Sequence, residues 1–105
     1  MKTISREDLK KKIDRGDEFV LLEVLSEASY GRAHLPGAIR LQDMDSIPDL
    51  LPDKNTKVVA YCSNFNRHSS TRVVRELMAM GYENAFEYEG GKQDWMDAGY
   101  PTESG

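Results

Sequence analysis

Two segments, Phe19-Val20-Leu21-Leu22-Glu23-Val24 and Lys57-Val58-Val59-Ala60-Tyr61, are almost unbroken apolar runs, not alternations of apolar and polar residues. A strand with one face in water alternates. An unbroken run belongs to a strand covered on both faces, and such strands sit in parallel sheets between layers of helix. Other short apolar runs are separated by amphipathic stretches, so the expected fold is α/β. It is read as a small parallel sheet of about five strands flanked by helices on both faces. At 105 residues the chain is the size of one domain, read as spanning 1–105 without repeat or linker.

Local signals place the elements. Ser5, with Asp8 three residues on, opens a helix that runs through about Asp14 and ends at Arg15-Gly16-Asp17. Ser26 caps a short helix to Arg32, and Pro36-Gly37-Ala38-Ile39-Arg40-Leu41 turns into a strand. Asp43 to Pro52 carries Ile47, Leu50 and Leu51 and reads as a short amphipathic helix, followed by a turn at Pro52-Asp53-Lys54-Asn55. From His68 to Met80 the pattern is helical, with Val73, Leu77 and Met80 on one face and Arg72 and Glu76 placed to pair on the other. Gly81 stands where a helix-ending glycine is expected. Asn84 to Tyr88 is a last strand, Gly90-Gly91 precedes a small helix containing Trp95, and Gly99-Tyr100-Pro101 closes the chain. Trp95 is read as a core anchor.

Composition narrows the partners. A formal net charge of −4 and a pI near 5.1 lack the basic face that phosphate backbones require, so no nucleic-acid partner is expected. No segment approaches the roughly 20 apolar residues of a membrane span. Met1 to Asp8 has no apolar stretch behind its basic residue, so neither a signal peptide nor a membrane partner is expected and cytoplasm is the expected location. A single cysteine excludes an internal disulfide and a multi-cysteine zinc site. Asp43, Asp45, Asp49 and Asp53 lack the glycine and terminal glutamate of a calcium loop and read as a solvated face. No metal and no cofactor are expected.

The strongest chemical signal is the order strand, cysteine, short polar loop, arginine, helix. Cys62 follows the apolar strand directly, and Ser63-Asn64-Phe65-Asn66-Arg67 leads to a helix beginning near His68. In a parallel sheet, ligands bind beyond the carboxyl ends of the strands. A loop wrapping there can turn successive backbone N–H groups inward, and the next helix adds free N–H donors with positive dipole character. Such a cradle favours a thiolate or another anion, making Cys62 a candidate nucleophile. Arg67 supplies a fixed charge for an oxyanion. A buried, inert cysteine and a solvated arginine are the alternative for the same residues. Ser63 reads either as a donor into the loop or as a turn residue. His68 reads as a proton donor or, more simply, as a helix-start residue facing water.

Three separated blocks carry a resemblance over nearly the whole chain. The first runs from Leu22 to Ile39 and includes Gly31-Arg32-Ala33-His34-Leu35-Pro36-Gly37-Ala38. The second is Tyr61-Cys62 with its loop to Arg67. The third is Gly90-Gly91-Lys92-Gln93-Asp94-Trp95-Met96-Asp97-Ala98-Gly99-Tyr100-Pro101. In this order they resemble the rhodanese-like domain family. The resemblance implies a sulfurtransferase of the thiosulfate type: Cys62 attacks a sulfane sulfur, becomes a persulfide, and yields the sulfur to a thiol, a protein acceptor or cyanide. It also implies that Cys62 and Arg67 are catalytic and that Ser63, Asn64, Phe65, Asn66 and His68 form the substrate-binding loop. Related phosphatases and arsenate reductases carry a loop one residue longer, and the shorter ring here favours sulfur over a phosphoryl group.

Two departures stand out. Members of the family often have glycine midway in the loop, where this chain has Phe65; a bulky residue resists the left-handed backbone that glycine tolerates. They also often have Asp-Val-Arg where this chain has Glu23-Val24-Leu25, which removes the guanidinium expected to support the carboxylate. An exposed aromatic at the loop tip motivates a second reading, a catalytically weak binding or redox-regulatory module. Arg32 and His34, before the Pro36-Gly37 turn, either edge the site or serve packing.

Overall fold

The computed structural model describes residues 1–105. Its elements in chain order are β1 (Lys2–Thr3), α1 (Arg6–Arg15), β2 (Val20–Glu23), α2 (Glu27–Arg32), β3 (Ile39–Arg40), a 3-10 turn (Met44–Ser46), α3 (Ile47–Leu50), β4 (Val58–Tyr61), α4 (Ser69–Ala79), β5 (Ala85–Tyr88) and α5 (Gly91–Asp97). The five strands form one sheet in the order β1-β5-β4-β2-β3, and every pairing is parallel. The expected α/β architecture is the one found. β1 has no counterpart in the pattern: two exposed residues beside Phe86 and Glu87 carry no periodicity.

Alternation along β4 sorts the core into two layers. Val58 and Ala60 join Leu22, Ala85, Ile47, Leu51, Val73, Val74 and Leu77 on the side of α3 and α4. Val59 and Tyr61 join Leu21, Tyr88, Leu9, Leu35 and Trp95 on the side of α1 and α5. This is the two-sided burial that the apolar runs predict. Trp95 is fully buried, and its indole N–H donates to the Pro101 carbonyl at 2.8 Å.

Caps hold the helices as read. Ser5 accepts from the Asp8 amide at 3.0 Å, Ser26 from the Ser29 amide at 3.2 Å, and Gly81 follows α4 at φ +100°. Two local expectations change. The Asp43–Pro52 helix is broken into a 3-10 turn and the four-residue α3, because Pro48 lacks an N–H and fits only a first helical turn. Arg72 and Glu76 form no ion pair; the cation lies N-terminal to the acid, the weaker order on a helix. No helix is long and apolar enough to cross a membrane.

Candidate active site

The site is built where β4 ends. Strand parity carries the side chain of Cys62 to the same side as Ala60, toward α4, and the residue is 1% exposed. Its backbone turns the other way. The Lys92 amide donates to the Cys62 carbonyl at 2.9 Å and the Gln93 amide to the Ser63 carbonyl at 2.8 Å. The first turn of α5 therefore holds the base of the loop by its carbonyls. Across a trans peptide the next N–H points opposite its carbonyl, so the amides of Ser63 and Asn64 face away from α5. Gly91 makes this approach possible. It has φ +68°, and a Cβ there would overlap the Cys62 carbonyl oxygen and stand 2.9 Å from the Ser63 carbonyl carbon.

Beyond that base the loop organises itself around Asn64. Its side-chain oxygen accepts from the Asn66 amide at 2.9 Å and its carbonyl from the Arg67 amide at 3.1 Å. Two of the amides expected to turn toward the sulfur are thus committed to Asn64 instead. The amides of Ser63, Asn64, Phe65, His68 and Ser69 bond no oxygen within the chain. Ser63 Oγ is also buried without a hydrogen-bond partner. No non-glycine residue has positive φ, so the turn forms without the left-handed conformation that made Phe65 an objection. Phe65 is 63% exposed. Arg67 and His68 are exposed as well, with no ion pair to either.

The sulfur has two polar neighbours inside the protein. The thiol donates to the Arg67 carbonyl at 3.4 Å, and Ser70 Oγ lies 3.4 Å from Sγ. Ser70, in the first turn of α4, is buried and donates to Glu87 Oε2 at 2.8 Å, where Thr71 also donates at 2.6 Å. The register explains the meeting: Glu87 pairs with Ala60 across the β4–β5 ladder and shares its face. Ser70, Thr71 and Glu87 were not singled out from the sequence. The signal was present as a run of three hydroxyls in a helical first turn and a carboxylate at the inward parity of β5.

On the other side of the sheet lies a second buried polar group. Glu23, fully buried, accepts from the Tyr61 hydroxyl at 2.6 Å and pairs with Lys92 Nζ at 3.1 Å. Lys92 Nζ also donates to the Ser29 carbonyl at 2.9 Å, and the Tyr61 oxygen accepts from the Leu35 amide at 3.1 Å. Burial and the adjacent Glu23 carboxylate push the Tyr61 phenol far above its ordinary range, so it keeps its proton and donates it to Glu23 while accepting from Leu35. The cation missing at Leu25 is therefore supplied by Lys92. Arg32 is exposed and His34 is structural: His34 is 6% exposed, stacks on Tyr30 at 3.9 Å, and its Nδ1 lies 2.9 Å from the Tyr30 carbonyl.

Comparison with known proteins agrees with this architecture. The model of the rhodanese-like domain matches residues 5–98. The thiosulfate sulfurtransferase GlpE of Tolumonas auensis is 30% identical over 77% of this chain and 74% of its own. The adenylyltransferase and sulfurtransferase UBA4 of Candida albicans is 28% identical, and here the chain spans only 23% of the relative's length. Among solved structures, a rhodanese-like domain protein from Staphylococcus aureus superposes with a TM-score of 0.79 at 30% identity, covering 100% of this chain and 99% of that one. With the sheet order, the cysteine at the end of β4 and the Gly90-Gly91 approach to its loop all in place, the chain belongs to the rhodanese-like domain family.

Proposed function

We propose that residues 1–105 act as a single sulfurtransferase domain, in which Cys62 takes a sulfane sulfur from thiosulfate or a related donor and passes it to a thiophilic acceptor. The Cys62 thiolate attacks the outer sulfur of the donor, a new S–S bond forms, and the old S–S bond breaks with its electron pair leaving on sulfite. An incoming thiol, protein thiol or cyanide then attacks the outer sulfur and restores the Cys62 thiolate. The exchange needs no metal, cofactor or added oxidant.

The observation that carries this reading is the placement of one buried thiol at the base of a loop whose backbone amides at Ser63, Asn64, Phe65, His68 and Ser69 are free to serve an anionic sulfur species. Charge supports it. Arg67, His68, Arg72 and Arg75 lie along the loop and the exposed face of α4 in a chain of net charge −4, and none is in an ion pair. A dianionic donor meets a locally basic approach. Arg67 and His68 are the residues assigned to its anionic end, with Ser63, Asn64, Phe65 and Asn66 shaping the loop around the transferred sulfur. Treatment with thiosulfate is expected to add one sulfur atom to Cys62 by intact mass, with cyanide releasing it as thiocyanate. An unlabelled wild type, or equal labelling of Cys62→Ser, removes the proposal.

A second reading, a binding or redox-regulatory module, draws on one observation. Phe65 is 63% exposed and lines a cavity of about 370 Å³ with Ile4, Arg6, Tyr88, Glu89 and Asp94. The two readings part at Phe65→Gly. Sulfurtransferase activity is expected to stay within about threefold of wild type, since the loop uses no positive φ at this position. Activity that emerges only in the variant supports the binding module.

A further inference from the structure

Glu87 is 3% exposed, has no cation in ion-pair range, and is used by nothing in the transfer described above. A buried carboxylate without a partner charge is costly, and one beside a nucleophilic sulfur opposes formation of a second anion. Its only donors are Ser70 and Thr71 in the first turn of α4, and Ser70 also touches the sulfur. Ser70 has one proton to give. The carboxylate at 2.8 Å is the nearer and charged acceptor, the sulfur at 3.4 Å the farther and weaker one. Toward the thiol, Ser70 therefore presents an oxygen lone pair, and the thiol proton, which rests on the Arg67 carbonyl, reaches it by rotation about the Cβ–Sγ bond.

We propose that Glu87, acting through Ser70, takes the proton of the Cys62 thiol. The S–H bond breaks with its electron pair left on sulfur, and the proton passes to Ser70 Oγ. The proton already on Ser70 passes to Glu87 Oε2. The product is a thiolate, a Ser70 hydroxyl now directed at the sulfur, and a neutral carboxyl still held by Thr71. The buried group carries one negative charge before and after, so no second charge is buried and no co-reactant is consumed. Ser70 contacts the reacting atom; Glu87 is a positioning and proton-holding residue that acts through it.

This inference rests on Cys62 being the sulfur nucleophile, and its test is kept separate from that assignment. The readout is the rate of Cys62 alkylation by iodoacetamide as a function of pH for wild type, Glu87→Gln and Ser70→Ala. The surrounding charges stay constant across the series: Arg67 and His68 of the loop, Arg72, Arg75 and Glu76 of α4, Glu89 after β5, and the Glu23–Lys92 pair from β2 and α5. Glu87→Gln keeps an oxygen for both hydroxyls, and thermal melts identify the variants that remain folded; either variant alone suffices.

At about pH 6 both variants are expected to alkylate at least about tenfold more slowly than wild type, with the difference closing toward about pH 9, where hydroxide removes the proton unaided. A rate at about pH 6 that is unchanged, or that rises in Glu87→Gln because a repelling charge has gone, overturns the relay. Sulfur loading of the wild type by thiosulfate, read by mass, separates failure of the relay from failure of the sulfurtransferase reading.

Discussion

A Lys92→Met variant is expected to lose about 3–5 kcal/mol of folding stability, the range found when one partner of a buried ion pair is removed. Glu23 has no other charge compensation, since its side chain is 0% accessible and Lys92 is its only cation. Methionine fills the space of the lysine stem but leaves the carboxylate, and the Ser29 carbonyl, without their ammonium. For a domain of this size that shift corresponds to roughly 12 °C or more in melting temperature. Urea or thermal denaturation measures it. The matched Glu23→Gln/Lys92→Met double variant is expected to recover at least about half of the loss, because a carboxamide still accepts from Tyr61 and no lone charge remains. A single-variant loss below about 1 kcal/mol, or no recovery in the double, contradicts the role assigned to the pair.

Gly91→Ala is the second substitution with a large expected effect, and it reaches the site directly. The left-handed backbone alone costs a non-glycine residue about 1–2 kcal/mol. The new Cβ also collides with the Cys62 carbonyl and the Ser63–Asn64 peptide, which are backbone atoms that cannot rotate aside. Either α5 withdraws or the base of the loop shifts, and both break the bonds from the Lys92 and Gln93 amides. A total loss of about 3 kcal/mol or more is expected, with sulfur loading of Cys62 reduced at least about tenfold in the molecules that remain folded. Gly99→Ala supplies the control. Gly99 has φ +75° but open space around its Cβ position. It is expected to show the backbone cost without the loss of loading. Equal effects at the two positions contradict the claim that close approach, not backbone conformation, makes Gly91 necessary.

Much of this molecule was legible in its amino-acid order, for identifiable reasons. The runs at 19–24 and 57–61 predicted buried parallel strands because both faces of β2 and β4 are covered, and the spacing of Val73 and Leu77 predicted the inner face of α4. Cys62 and its loop were found because strand, thiol and helix are consecutive. What escaped was made by distant segments. β1 is two residues long and exists as a strand only through β5. Glu87 looks like an ordinary polar residue of a short strand until the register sets it beside Ala60 and beneath Ser70. The loss of arginine after Glu23-Val24 looked like the loss of an ion pair, yet Lys92 replaces it from a point sixty-nine residues away. Phe65 looked incompatible with a tight turn only because the turn was assumed to need positive φ; Asn64 closes it otherwise.

The attachment of the Cys62 and Ser63 carbonyls to α5 divides the loop mechanically. Those first peptide units cannot rotate without unseating a helix that is itself nailed to the core by Trp95. The stretch from Phe65 to His68 is exposed and is tied to Asn64 and the first turn of α4, not to α5. In the proposed transfer, where the sulfur gains one neighbour and later sheds it, the change in shape falls on this outer cover while the mount stays still. A nucleophile fixed at its root under a cover that rests on a different element can accept donors of different bulk without losing aim.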